Sequence, residues 1–294
     1  MIEYLLVLLY LLLVGYHHLY YFLIRKKIKG PVKIAENAKP FSKRRGDKVA
    51  LLIHAFTWSP PEFKELGEYL VKHNISVHAP LLPGHGTSPE VLAFVKYFEW
   101  IEFLEKEISR LEQEYKEIYL IGDSFGGNLA LLLTKKSKKV KGVITMGTPM
   151  VFRRERFLKW AFFIIKRIKI FQRKSYSAKR TQANEGKAHF YMSVPIRTVS
   201  QMLKIVFLSR EELSSVKVPV MCAYAGLKPL EDEMSAKFLL DKESAEHIME
   251  NVSSKHKYLR PINTPFHTIL FDKKASKFFH YFISFIKNPN VVPQ

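Results

Sequence analysis

The sequence predicts a doubly wound α/β fold with a mostly parallel sheet, an N-terminal transmembrane helix and a helical cap insertion. Three observations predict it. Strands that are apolar throughout alternate with amphipathic helices, an uncharged apolar run opens the chain, and the alternation stops between residues 150 and 215. Strands buried on both faces are typical of parallel sheets covered by helices. A chain of 294 residues, 47% of them hydrophobic, can bury a large core.

The first element is an apolar run over residues 4–24 that contains no Asp, Glu, Lys or Arg. As a helix it would reach about 31 Å, enough to cross the hydrocarbon core of a bilayer. A cleaved signal peptide would carry positive charge before the run, whereas here the basic residues 25–29 follow it. The positive-inside rule places the remaining chain in the cytoplasm. We therefore expect a single-pass membrane protein anchored by residues 1–24, with a re-entrant or surface-lying helix as the alternative.

The chain is strongly basic, with a formal net charge of +20. Residues 25–48 form a basic juxtamembrane linker, which we expect to lie on anionic lipid headgroups; a solvated spacer is the alternative. Because the positive charge is concentrated around the membrane segment and the cap, acidic lipid is a simpler partner than nucleic acid, and we expect no nucleic-acid binding. The single cysteine, Cys222, excludes an internal disulfide.

The body alternates between strands and helices on both sides of the interruption. Strands are predicted over residues 49–54, 75–80, 140–146, 218–225 and 257–262 and in the run before Ser124. Helices are predicted over residues 62–73, 97–115, 244–252 and 273–286 and after Ser124. The α/β core therefore occupies residues 49–149 and 216–294.

Residues 150–215 are predicted to form the helical cap. The stretch 152–173 is apolar, aromatic and basic together, with eight cations against one acid, Glu155. We expect it to lie over the C-terminal edge of the sheet, where ligands of open α/β sheets bind. Its apolar face would cover the acyl pocket or dip into lipid; an ordinary packed helix with a solvated basic face is the alternative.

The turn Gly122-Asp123-Ser124-Phe125-Gly126 matches the pattern Gly-x-Ser-x-Gly between an apolar strand and an apolar helix. A serine hydroxyl is a weak nucleophile unless a strained strand-to-helix bend exposes it, and the glycines allow that bend. Ser124 is therefore the predicted nucleophile. The N–H of Phe125 opens the following helix and would point toward a developing oxyanion. A loop in an unrelated α/β protein is the alternative interpretation.

Several segments occur in an order that is more specific than any one motif. They are 51–57 with His54-Ala55-Phe56, 79–86 with Pro83-Gly84-His85-Gly86, 122–127, 146–150 with Gly147-Thr148-Pro149, and 265–272 with Pro265-Phe266-His267. Through them, residues 49–287 resemble the α/β-hydrolase superfamily and, within it, the bacterial carboxylesterase and monoacylglycerol-lipase-like branch.

The resemblance implies roles for further residues. His267 follows the last strand and would be the general base, as the chain order Ser, Asp or Glu, His requires. The N–H of Phe56 would join that of Phe125 in the oxyanion hole, and His54 would brace this loop. Ala55 stands where the family has glycine, and a positive φ there would carry a steric penalty.

The acid of the triad is harder to place. The family expects an aspartate a few residues after the strand at 220–225, and a gapless alignment places Lys228 there. Asp232 is our assignment, because Asp232-Glu233-Met234 resembles the family's continuation. Glu231, Glu233 and Asp241 remain alternatives. Without an acid, the site would be a dyad or the protein a decayed hydrolase.

Together these residues predict an enzyme, a serine hydrolase of carboxylic esters that forms an acyl-enzyme on Ser124 and uses no metal or other cofactor. The expected substrate has an apolar acyl chain, as in a monoacylglycerol or a lysolipid met at the membrane. A thioesterase, peptidase or acyltransferase on the same scaffold is one alternative. A non-catalytic, membrane-anchored lipid-binding protein, suggested by Ala55 and the missing acid, is another. The oligomeric state is left open.

Overall fold

The central sheet of the computed structural model is mostly parallel. The strands among the described residues are β1 Phe41–Lys43, β2 Lys48–Ile53, β3 Ser76–Ala79, β4 Glu117–Asp123, β5 Val140–Met146, β6 Phe171–Arg173, β7 Ser193–Pro195, β8 Val220–Ala225 and β9 Lys257–Ile262. Seven of them form one sheet in the order β1-β3-β2-β4-β5-β8-β9. Only the β1–β3 pair of this sheet is antiparallel. The predicted doubly wound, mostly parallel sheet is confirmed.

The structure describes residues 2–28, 32–156, 171–173, 188–227, 239–272 and 274–291. Its helices are α1 Ile2–Lys27, α2 Lys64–Lys72, α3 Pro89–Leu92, α4 Tyr97–Glu114, α5 Phe125–Leu133, α6 Ile196–Glu211, α7 Asp241–Asn251 and α8 Phe279–Lys287. Short 3-10 turns precede two of them, at Pro60–Phe63 before α2 and at Ala275–Phe278 before α8.

Two hydrophobic clusters lie on opposite faces of the sheet because successive strand side chains point to opposite sides. In β2, Leu51 and Ile53 belong to the cluster that packs against α4, α5, α6 and α7. Ala50 and Leu52 belong to the other cluster, which packs against α2 and α8. This double burial explains why the strands read as continuous apolar runs. It also fixes the C-terminal ends of β2, β4, β5 and β8 along one edge.

The N-terminal helix α1 is long and apolar enough, over Glu3–Lys26, to cross a membrane. A signal sequence meets the same criterion of length and composition. Most of its large apolar side chains are exposed, and Tyr21 is the buried exception. Helix α1 therefore has an apolar surface that the rest of the described chain does not cover.

Much of the predicted cap, including residues 157–170 and 174–187, lies outside the described residues. Within the described part, Phe152 forms an isolated bridge with Leu239, and Phe171–Arg173 is a strand paired with β7. Residues 152 and 171–173 are thus in β pairing and residues 155–156 are helical, and the helical cap stays a prediction. Helix α6 packs on α5, where Asn128 Nδ2 donates a hydrogen bond of 2.9 Å to Ser209 Oγ.

Candidate active site

Ser124 lies at a sharp bend between β4 and α5. Its backbone has φ 48° and ψ −115°, and its N–H donates to Met146 O at 2.7 Å. A Cβ on Gly126 would lie 1.9 Å from Ile53 O, and a Cβ on Gly122 would lie 2.3 Å from the backbone of Gly126. The two glycines are therefore required by close backbone packing around the bend, which holds the serine side chain out at the sheet edge.

His267 lies on the loop after β9 and faces the serine. Its Nε2 is 2.9 Å from Ser124 Oγ, and its side chain is 6% exposed. Gly147, at the end of β5, has φ +52°, and a Cβ there would lie 2.5 Å from His267 O and 3.3 Å from Nδ1. Gly147 thus leaves the space that the imidazole occupies, a role that the motif containing it did not reveal.

Asp241 is the carboxylate that contacts the histidine. Its Oδ1 lies 2.8 Å from His267 Nδ1, and its side chain is 9% exposed. The pairing fixes the tautomer, because an Nδ1–H that donates to Asp241 leaves Nε2 to accept from the Ser124 hydroxyl. Asp241 opens α7, which is tied to the end of β5 by Ser244 Oγ, the acceptor for the N–H groups of Met150 and Val151.

Among the described residues, the carboxylate that the structure brings to His267 is Asp241, one of the alternatives to the predicted Asp232. Asp232 lies outside the described residues, as do Glu231 and Glu233. The Nδ1 position of His267 accommodates one strong acceptor, and Asp241 fills it. Asp241 stands later in the chain than Lys228, the position at which a gapless alignment with the family expects the acid.

Phe56 and Phe125, whose backbone N–H groups are the predicted oxyanion donors, contact each other through their side chains. The rings of Phe56 and Phe125 meet edge to face with their centroids 5.6 Å apart. Ala55 does not have a positive φ; in this loop the left-handed residue is Thr57, with φ 69°. The alanine at position 55 therefore carries no such steric penalty, and the strain falls on a β-branched residue next to the expected donor.

The loop that carries Phe56 is braced by two buried side chains. His54 Nδ1–H donates to Ala55 O at 3.0 Å, and Nε2 accepts from Leu82 N–H at 3.1 Å. Burial lowers the pKa of His54 to about 4, so that the imidazole is neutral near pH 7. Glu62 Oε1 accepts from Ala55 N–H at 2.8 Å. His54 and Glu62 thus hold the loop and take no direct part in the Ser124–His267 contact.

A third brace comes from the segment before β7. The N–H of Tyr191 donates to Thr57 O at 3.1 Å. Its hydroxyl donates to Gly84 O at 2.9 Å and accepts from Thr87 N–H at 2.8 Å. Tyr191 therefore links the oxyanion loop to the loop after β3. Sequence reasoning missed it, because no local pattern marks a tyrosine whose partners are distant backbone atoms.

Proteins of related sequence include one hydrolase family and two enzymes of Bacillus. The profile of the Hydrolase_4 family, described as serine aminopeptidase, S33, matches residues 45–274. A carboxylesterase of Bacillus subtilis (strain 168) is 27% identical over 237 residues, which cover 80% of this chain and 91% of the relative. A thermostable monoacylglycerol lipase of Bacillus sp. (strain H-257) is 31% identical over 111 residues, 38% of this chain and 44% of the relative.

Solved structures share the fold at low sequence identity. A metagenome-derived lipolytic enzyme superposes with a TM-score of 0.73 at 18% identity, covering 87% of this chain and 99% of its own. A monoacylglycerol lipase of Paleococcus ferrophilus superposes with a TM-score of 0.68 at 15% identity, covering 85% of this chain and 99% of its own. The family profile, the sheet and the position of the serine bend lead to one conclusion: this chain belongs to the Hydrolase_4 family of α/β-hydrolases.

Proposed function

We propose that this chain is a membrane-anchored serine hydrolase that cleaves carboxylic esters with an apolar acyl chain. The observation that carries the proposal is the relay from Asp241 through His267 to Ser124, with contacts of 2.8 and 2.9 Å. A nucleophile, a base and an orienting acid within hydrogen-bond distance form the arrangement that acyl transfer requires.

In this mechanism the Ser124 hydroxyl attacks the ester carbonyl carbon while His267 Nε2 takes its proton. The N–H groups of Phe56 and Phe125 hold the oxyanion of the tetrahedral intermediate, each donor contributing about 2.7–4 kcal/mol. His267 then returns the proton to the leaving alcohol, and the acyl-enzyme remains. Water, deprotonated by His267, attacks the acyl carbon and releases the carboxylic acid. Asp241 stays ionised and stabilises the imidazolium in both steps.

The first test is covalent labelling of the detergent-solubilised protein with a serine-directed fluorophosphonate. Wild type should be labelled, and Ser124→Ala and His267→Ala should not, because labelling needs a serine activated by the adjacent imidazole. Circular dichroism of all three proteins provides the folding control. A folded wild type that resists labelling would refute the catalytic proposal and favour a lipid-binding protein.

The substrate proposal rests on the apolar helix α1 and on the relatives, which are a carboxylesterase and a monoacylglycerol lipase. Hydrolysis rates measured in detergent should rise from short to medium or long acyl chains in a series of monoacylglycerols and lysolipids. Much faster cleavage of short, water-soluble esters would contradict it.

Peptide hydrolysis is the second candidate, because the matching family is described as serine aminopeptidase. A panel of ester, thioester and aminoacyl amide substrates with matched acyl groups separates the chemistries. We expect the ester to be cleaved fastest. An aminoacyl amide cleaved at a comparable or higher rate would favour the peptidase.

The proposal further holds that residues 1–24 stay in the mature protein as a membrane anchor and are not a signal sequence that is cleaved. The basic residues that follow the apolar run favour an anchor and a cytoplasmic hydrolase body. Intact mass spectrometry of the protein extracted from membranes should give the mass of the uncleaved chain. A shortened mature chain recovered in the soluble fraction would contradict the anchor.

A further inference from the structure

The end of α1 packs onto the hydrolase body through aromatic side chains and a cation. Tyr21 is 5% exposed, and its ring meets the Phe94 ring edge to face at 5.9 Å. The guanidinium of Arg197, in the first turn of α6, lies 5.6 Å from the Tyr21 ring centroid and 5.9 Å from that of Phe94. This contact joins the last turns of the apolar helix to the residues after α3 and to α6.

Positive charge accumulates at the same junction. Partial burial lowers the pKa of Lys96, the residue before α4, and the positive charges of Arg197, Lys204 and Arg25 lower it further, against the opposite effect of Glu99. The Lys204 ammonium lies 5.1 Å from the centroid of the Tyr97 ring. We call Arg25, Lys96, Arg197 and Lys204 the junction cations. They come from three separate parts of the chain, so their convergence is a product of the fold.

Two carboxylates act on the junction, that of Glu99 on Lys96 and that of Glu90 on Tyr20, against four cations. Glu99 is the acid closest in the chain to Lys96, and its Oε1 accepts a hydrogen bond from the backbone N–H of Lys96. None of the ion pairs found within the described ranges of the chain involves a junction cation. Grouped like charges repel one another, so an anion bound here would relieve that repulsion.

The position of the cluster selects the anion. The uncharged run ends at residue 24, so the junction cations follow directly where the apolar helix would leave the hydrocarbon region. Aromatic rings beside cations are typical of the membrane–water interface, and anionic headgroups occupy that depth on the cytoplasmic side. The side chain of Phe98, beside Tyr97, is 46% exposed on the same part of α4.

We propose that the junction cations form a binding site for the phosphate of an anionic phospholipid headgroup, a site that rests on the proposed membrane anchoring. The bound lipid would fix how the hydrolase body lies against the bilayer. Helix α6, which carries Arg197 and Lys204, is also held to the end of α3, since Thr198 Oγ1 donates to Leu92 O at 3.2 Å. The segment just before α6 carries Tyr191, whose N–H donates to Thr57 O, so α6 follows directly on a contact with the loop of Phe56.

The test uses the full chain in a neutral detergent and the double variant Arg197→Gln/Lys204→Gln. The matched control is Lys138→Gln/Lys255→Gln. It removes the same charge from exposed positions that lie before β5 and β9, at the N-terminal ends of these strands. Native mass spectrometry and melting temperature are followed as phosphatidylglycerol, phosphatidylcholine or inorganic phosphate is added. A ligand that binds the folded state raises the melting temperature, so the two readouts should agree.

We expect wild type and control to retain phosphatidylglycerol and to be stabilised by it, with little response to phosphatidylcholine or inorganic phosphate. The junction variant should require about thirtyfold more phosphatidylglycerol. Equal phosphatidylglycerol binding by the junction variant and the control would overturn the proposal, and so would an equal response of wild type to inorganic phosphate. Fluorophosphonate labelling of Ser124 should be the same in all three proteins, so failure of the lipid site is distinguishable from failure of the catalytic proposal.

Discussion

Replacing Asp241 with asparagine tests the assignment of the acid most directly. The carboxylate accepts from His267 Nδ1 at 2.8 Å, in a pair whose side chains are 9% and 6% exposed. Asparagine fills the same space but carries no charge, and its amide can donate to Nδ1. The imidazole would then carry its proton on Nε2, facing Ser124, and could no longer accept the proton of the hydroxyl.

The expected fall in kcat combines two effects, the loss of a hydrogen bond and the reversal of the imidazole tautomer. Loss of one hydrogen bond to a charged group costs about 1.5–3 kcal/mol, which alone lowers kcat roughly 10- to 150-fold. Reversal of the tautomer adds to this, and the comparable change in a serine protease triad lowers kcat about 10⁴-fold, or about 5 kcal/mol. We therefore expect kcat of Asp241→Asn to fall by about 10³- to 10⁴-fold with KM little changed.

The assay is steady-state hydrolysis of a chromogenic ester in detergent, with Asp232→Asn as the matched control. That control should keep kcat within about twofold of wild type if Asp232 is not the acid. Because Asp241 lies in the first turn of α7, its replacement should also cost about 0.3–1 kcal/mol of stability, which thermal unfolding will show. A near wild-type kcat for Asp241→Asn together with a collapse for Asp232→Asn would refute the reasoning.

Three further changes test the loops around the site. Tyr191→Phe removes the hydroxyl between Gly84 O and Thr87 N–H, so stability should fall by about 1–3 kcal/mol and kcat should fall more than KM changes, as urea unfolding and ester kinetics will show. His54 has a folded pKa of about 4 against an ordinary 6.5, so protons favour the unfolded chain as the pH falls from 6.5 to 4. Stability should drop by up to about 3 kcal/mol over that range, and His54→Gln should flatten the slope by up to about 1.4 kcal/mol per pH unit, measured by unfolding at each pH. Gly126→Ala would place a Cβ 1.9 Å from Ile53 O and should abolish folding or lower the melting temperature strongly, whereas Gly15→Ala, with nothing within 4 Å, should not.

Ser124 and His267, the proposed nucleophile and base, could be predicted from the sequence because each belongs to a local pattern. Ser124 stands between glycines whose absence of a Cβ the packing requires, and those glycines are contiguous with it in the chain. His267 follows the last strand at the position that chain order assigns. The parallel sheet could also be predicted, because a strand that is buried on both faces has a continuous run of apolar residues.

The proposed acid Asp241 and the side chains that brace the Phe56 loop could not be singled out from the sequence, because their partners are remote in sequence. Asp241 follows β8 by more residues than the family spacing predicts, and chain spacing alone does not specify which carboxylate contacts His267. Tyr191 contacts Thr87, 104 positions earlier, through a backbone N–H that any residue type would offer. The sequence pattern places Glu62 on the surface of a helix, yet its side chain is buried and its carboxylate accepts a hydrogen bond from Ala55 N–H. Such contacts depend on tertiary packing, which pattern and periodicity do not specify.

The position of the loop that carries Phe56 depends on three bracing side chains, and one of them comes from the predicted cap region. His54 and Glu62 lie within or next to the loop, but Tyr191 belongs to the segment that leads into α6. Thr57, whose carbonyl accepts from Tyr191, has a positive φ that a β-branched residue adopts only when its surroundings enforce it. In the proposed mechanism, a displacement of residues 188–195 would release the strain at Thr57 and move the N–H of Phe56 away from the oxyanion. Variants that loosen this segment should lose kcat before they lose the fold, because the catalytic loop depends on a contact that the two sheet-face clusters do not supply.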